Sequence, residues 1–170
     1  MAYRASVTEA KTRQPMDMVI WDTSGEVADL HKLKGVQNVD CVVLCMTVDS
    51  PDSIRDIEDI WMPKIRNLYP GRPLVLAALR IDLRDNYKTL QMLADAQDQP
   101  LSSAEGKRIM DRIGAASYFD CSVKCREGVQ DLFHEVAFQG LQAKSDPRRS
   151  KNLWELTKRS FRRSWKFQAV

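Results

Sequence analysis

A mostly parallel α/β sheet flanked by helices is the fold class predicted by these 170 residues. Three observations predict it. Short apolar runs recur at Met16–Trp21, Asp40–Val48, Leu74–Leu79 and, more briefly, Ser117–Cys121. Such runs read as strands covered on both faces. Helical patterns lie between them, and alternation of strand and helix makes parallel crossovers. The hydrophobic fraction of 44% is enough for a real core.

Each element has a local cause. Ser50-Pro51-Asp52-Ser53 starts a helix with proline in its first turn, and Ile54, Ile57 and Ile60 or Trp61 follow at helical spacing. Pro63 should kink that helix or end its regular part. Ser102 or Ser103 followed by Glu105 resembles a capped start, with an end expected at Gly114. Val129, Leu132, Phe133, Val136 and Leu141 form the apolar face of a further helix. Trp61 and the methionines at 16, 18 and 46 are expected in the core.

The chain is most simply one domain, residues 1–143, with a tail, 144–170. No apolar run approaches the eighteen or so residues that span a bilayer, and Met1-Ala2-Tyr3-Arg4 opens no secretory signal. A cytoplasmic setting with reduced cysteines is the expectation. Cys41/Cys45 and Cys121/Cys125 have zinc-like spacing. Yet Cys41 and Cys45 would face the same way from a strand, as small buried hydrophobes. His31 and His134 are solitary and form no ligand pair. The net charge of +3 is uneven: residues 144–170 carry nine basic and two acidic groups, so +7, leaving −4 on the body. Such a tail suits an anionic partner.

Read as motifs, the same segments resemble the Rho family of small GTPases from about Tyr3 to Ala143. Trp21-Asp22-Thr23-Ser24-Gly25-Glu26 is similar to the family's W-D-T-A-G-Q, and Trp61-Met62-Pro63 to its W-x-P. Val48-Asp49-Ser50-Pro51-Asp52-Ser53-Ile54 resembles the entry to its third helix. Ile81-Asp82-Leu83-Arg84 resembles the end of N-K-x-D-L-R, and Asp120-Cys121-Ser122-Val123-Lys124 the guanine-base loop C-S-A-K. Residues 86–99 fall where Rho proteins carry an insert helix. The Thr-Ser-Gly variant resembles the Rnd branch, which binds GTP but hydrolyses it poorly.

The resemblance implies a Ras-like fold and a role in signal transduction of the cytoskeleton and polarity class. It implies GTP or GDP with Mg²⁺ as cofactors, and Rho-type effectors and regulators as partners. By resemblance, Asp22 would hold magnesium through a water and the Gly25 amide would meet the γ-phosphate. Asp82 would accept from the guanine edge, the Val123 backbone would meet the guanine oxygen, and Ser122 and Lys124 would complete that loop. Arg80 stands where the family has a stacking lysine.

The sequence departs from the pattern on the phosphate side. A phosphate loop needs G-x-x-x-x-G-K-[ST], whose backbone amides and lysine surround the phosphates. The one Gly-Lys pair is Gly106-Lys107, with Leu101 five residues before it. Twenty-one residues precede Asp22 and none is glycine. An incomplete N-terminus is therefore expected, without the first strand, the phosphate loop, the first helix and the magnesium-binding threonine of the first switch. Hydrogen bonds to charged groups contribute roughly 1.5–3 kcal/mol each, so losing about five removes ~8–15 kcal/mol if they add. Nanomolar binding is worth only about 12 kcal/mol. Leu79 replaces the family's Asn, and Glu26 stands where a Gln orients the attacking water. A carboxylate there would repel the γ-phosphate; its bland reading is a solvated loop residue.

In the family fold the first strand lies between those matching Met16–Trp21 and Asp40–Val48. Without it the chain should be unstable or close the space by re-pairing, because unpaired buried backbone is costly.

The tail has no cysteine, so a terminus without prenylation is the expectation. On a helical wheel Trp154, Phe161 and Trp165 share a stripe flanked by Lys158, Arg159, Arg162 and Lys166. That pattern suits an interfacial helix on anionic lipid at the membrane's inner face, or equally a disordered basic tail. Nucleic acid ranks behind both. Two further roles follow as alternatives to a slow or inactive GTPase: a nucleotide-free pseudo-GTPase interaction module, and a membrane adaptor acting through the tail.

Overall fold

The structure is a computed structural model that describes residues 1–8, 15–26 and 38–145, and the backbone of 164–169. His31 and the tail residues Trp154, Lys158, Arg159, Phe161 and Arg162 lie outside the described residues.

Among the described residues six strands form one sheet. In chain order they are β1 (Ala2–Thr8), β2 (Pro15–Asp22), β3 (Cys41–Thr47), β4 (Leu74–Leu79), β5 (Ser117–Cys121) and β6 (Ser164–Ala169). Their order across the sheet is β1-β2-β6-β3-β4-β5. β1 is antiparallel to β2, and every other pairing is parallel. The α/β class with flanking helices is therefore the observed one. β1 was not legible as a strand beforehand, although Tyr3, Ala5 and Val7 alternate with polar residues as a strand's do.

The helices are α1 (Pro51–Asp56), α2 (Met62–Leu68), α3 (Tyr87–Asp95), α4 (Ser103–Ile113) and α5 (Val129–Ser145). Ser50 caps α1 by accepting from the Ser53 amide, with Pro51 in the first turn. A π-helical turn, Ile57–Trp61, joins α1 to α2. Pro63 has no N–H to return to the preceding turn, and the helix runs on through it with this distortion just upstream. α3 falls within the 86–99 stretch, capped by the Asn86 side chain. α4 begins with a full capping box, Ser102 with Glu105, and ends at Gly114 with φ 66°. Glycine reaches this left-handed conformation without a Cβ penalty.

Alternation along β3 divides the core into two layers. Val42, Leu44 and Met46 point to the side of Ile57, Trp61, Ile65 and Ile109. Cys41 and Val43 point to the side of Leu132, Val136 and Ala137 of α5, with Met16 and Met18 of β2. Trp61, Met16, Met18 and Met46 are all buried, as expected. Burying a side chain such as Leu44 contributes about 1.5–3 kcal/mol.

The cysteines belong to this apolar layer. Cys41 and Cys121 are core members, and Cys45 packs against them. Burial, the largest cause in each, pushes the Cys41 and Cys45 thiols up to about 12 and Cys121 up to about 11. They stay protonated at neutral pH and are poor nucleophiles.

The expected missing first strand has a structural answer. β6 occupies the place between β2 and β3, so the sheet closes by re-pairing with its own later segment. This corrects the tail-helix expectation for two residues: Trp165 and Lys166 lie in a strand. A parallel partner on either side satisfies the backbone there, which an isolated helix would leave open on β2 and β3. Among the described residues no helix is long and apolar enough to cross a membrane.

Candidate nucleotide-binding edge

In open parallel sheets, ligands bind beyond the carboxyl ends of the strands. Here that edge carries Asp22 at the end of β2, Asp49 after β3, Arg80 and Asp82 after β4, and Ser122 to Lys124 after β5.

The β4–β5 half is tightly organised. The Ser122 hydroxyl donates to Asp82 Oδ1 at 2.6 Å, and its oxygen accepts the Cys125 amide at 3.1 Å. Lys124 Nζ lies 3.6 Å from Asp82 Oδ2. The hydrogen bond from Ser122, aided by Lys124, holds the Asp82 carboxyl below its ordinary value of 3.8. An ionised Asp82 offers acceptors only, as recognition of paired N–H donors requires. Ser122 thus spends its side chain on orienting Asp82 and the loop. Val123 is exposed at the loop tip.

Gly128 closes this loop, with φ 70° and a Cβ position only 1.9 Å from the Asp120 carbonyl oxygen. Any side chain there would push β5 and the loop apart. Sequence reasoning missed this glycine; its place just after the base-loop motif was the available signal.

Behind the loop lies a second polar cluster that the sequence did not reveal. Arg84 donates to the Leu101 carbonyl (2.8 Å), to Ser103 (3.0 Å) and to Asp120. Tyr118 donates to Asp120 at 2.6 Å, and Ser103 also donates to it. Burial alone would raise Asp120, but these hydrogen bonds prevail and hold it below its ordinary value. The cluster ties the segment after β4 to α4 and β5, and so fixes Asp82 relative to Ser122.

Arg80 sits differently from a stacking cation. It adopts φ 62° and pairs with Asp49 across 3.0 Å, its side chain largely exposed. Asp49 Oδ1 is buried without a hydrogen-bond partner among the described residues. Leu79 ends β4 packed against the α5-side core, where an amide would be unsupported.

The β2 half is open. Asp22, Gly25 and Glu26 are all exposed. A Cβ added at Gly25 would meet nothing within 4 Å. The terminal ammonium of Met1 donates to the Asp22 carbonyl at 2.6 Å, and the Asp22 amide to the Met1 carbonyl at 2.8 Å. Asp82, Ser122 and Lys124 are therefore brought together, whereas Asp22, Gly25 and Glu26 stand at the other strand end. Among the described residues no group of His, Cys, Asp and Glu is placed to hold a metal ion.

The model of the Ras family matches residues 3–142. The chain belongs to the Ras family. Within it the chain is Rho-like: it is 33% identical over 138 residues to the GTP-binding protein RHO1 of Candida albicans, covering 80% of this chain and 69% of that protein. The two ends of the edge described above differ in chemistry. Asp82 and its loop suit a base with paired donors. For the phosphates, the 170 residues hold no glycine-lysine loop, and β6 stands in the sheet position that leads to that loop in the family.

Proposed function

We propose that this chain is a Rho-like signalling protein with poor or absent GTP hydrolysis, acting by presenting the family's surfaces to protein effectors and regulators. The carrying observation is the asymmetry of the edge: an ordered loop around Asp82 and Ser122 beside a strand end where Asp22, Gly25 and Glu26 are exposed. Asp82 would accept from a guanine edge, with Lys124 and the Val123 backbone completing that subsite. Asp22 and Gly25 would be left for Mg²⁺ and phosphate without an amide cradle around them. A carboxylate at Glu26 would repel a γ-phosphate and could not donate a hydrogen bond to it.

The test is direct. The purified protein is denatured and its supernatant chromatographed for nucleotide, and single-turnover GTP cleavage is followed in parallel. Bound GTP that survives for hours supports the reading. Hydrolysis at ordinary family rates would sink it. An empty supernatant favours the second reading, a nucleotide-free pseudo-GTPase module, which the β6 pairing supports. A membrane-surface role for the tail is a separate proposal, tested by co-sedimentation of the full chain with anionic and neutral vesicles; binding to neither removes it.

A further inference from the structure

β2 and β3 do not pair with each other; they are joined only through β6. All six residues of β6 pair with β2, from Asp17↔Ser164 to Asp22↔Ala169. Three also pair with β3, from Cys41↔Phe167 to Val43↔Ala169. The residues flanking this position, Met18, Cys41 and Val42, are fully buried, so their strands would pay a high cost with unpaired backbone.

The sequence of β6 suits the position. Trp165, Phe167 and Ala169 alternate with Lys166 and Gln168. On the apolar side of their rows the three stand with Met18, with Ile20 and Cys41, and with Val43, while Ala169 also pairs with the exposed Asp22. Those apolar neighbours all belong to the α5-side core layer. Gln168 stands in the row of Trp21 and Val42, which belong to the other core layer, so the alternation favours this register on the α5 side alone.

The connection also suits it. Lys144, near the end of α5, lies 3.6 Å from Asp40, just before β3. β6 begins beside Asp17, near the start of β2. Both ends of the connection are thus at the amino edge of the parallel strands.

We propose that the space between β2 and β3 is a strand-binding site whose ligand is the chain's own segment 164–169, held in cis by its tether and replaceable by the same segment supplied in trans. Recognition is by parallel main-chain hydrogen bonds, with specificity from the alternating apolar residues. The tether keeps the segment at a high effective concentration, which favours the intramolecular complex. The inference stands independently of nucleotide binding.

Hydrogen–deuterium exchange on the full, nucleotide-stripped chain gives the first test. The amides of 164–169 should be protected as strongly as those of β3 and β4; exchange at the rate of an unstructured peptide would overturn the proposal. The second test is the full-length variant Phe167→Pro, which removes an N–H at the register row of Cys41. Its melting temperature should fall by roughly 5–10 °C and recover when a synthetic peptide of residues 162–170 is added. A melt identical to that of the parent overturns the site. If the variant does not fold, the exchange result on the parent decides. Light scattering separates cis from trans: a monomer whose melting temperature is independent of concentration supports the tethered complex. An exchanged dimer that melts higher at higher concentration overturns the cis assignment.

Discussion

The two ends of the candidate edge differ in how many parts of the chain hold them. At the β4–β5 end, Asp82 is fixed by Ser122, Ser122 by the turn that Gly128 permits, and that turn by the Arg84–Asp120–Tyr118 cluster. At the β2 end, Asp22 is tied through its backbone to Met1, and Ser24, Gly25 and Glu26 are exposed. One half of a binding edge can therefore be preorganised without the other. A base-recognition loop needs neighbours that are near in the sheet, whereas a phosphate cradle needs a glycine-rich segment that these residues do not contain.

The sharpest way to break the contrast is Gly128→Ala. It forces a side chain into a left-handed conformation and against a backbone carbonyl, so a loss of about 2–4 kcal/mol is expected. Urea unfolding measures it; a loss below about 0.5 kcal/mol would mean the loop is not pinned there. Next comes Arg84→Met, which leaves Asp120 with fewer donors in a half-buried site. A cost of about 1–3 kcal/mol is expected, and the Asp82 carboxyl should become more mobile by NMR.

Ser122→Ala is smaller, about 0.5–1.5 kcal/mol. Its distinctive sign is a rise of the Asp82 pKa toward the ordinary carboxylate value, read by carboxyl ¹³C titration. Asp82 and Asp120 also set a pH dependence. Both are lowered in the folded state, so their stabilisation is fully present above about 3.8, the ordinary value. It is lost as pH falls below that through the folded values. In Ser122→Ala the acid midpoint should move up. The smallest effect is expected at the open end: Glu26→Gln should change stability by less than about 0.5 kcal/mol. It should also leave GTP cleavage unrestored, and recovery of ordinary turnover would show that the phosphate side is complete after all.

How much was legible follows from which forces are local. β4 was readable to its ends, because a strand buried on both faces is a continuous apolar run between turn residues. The capping box of α4 and its glycine end were readable for the same reason. Asp82, Ser122 and Lys124 were readable only through family resemblance, since nothing in their spacing brings two loops together. The Arg84 cluster joins residues up to 36 apart, and no periodicity carries that information. β6 was misread for a definite reason. Trp154, Phe161 and Trp165 fit a helical stripe, while Trp165, Phe167 and Ala169 fit a strand. The choice between them belonged to β2 and β3, far away in sequence.

The central place of β6 also sets a timetable for making the protein. β3 ends at Thr47 and β6 starts at Ser164, 117 residues later. At synthesis rates of about 5–20 residues per second, the ribosome needs roughly 6–23 s to bridge that distance. Throughout that interval β2 and β3 exist as nascent chain without the β6 segment that pairs with both. The last strand to be made is the one that must enter the middle of the sheet, so folding cannot be completed in the order of translation. Slow elongation lengthens the exposure of two unpaired strand edges rather than helping them fold. Yield in a recombinant host should therefore respond to holdase chaperones more than to codon pacing.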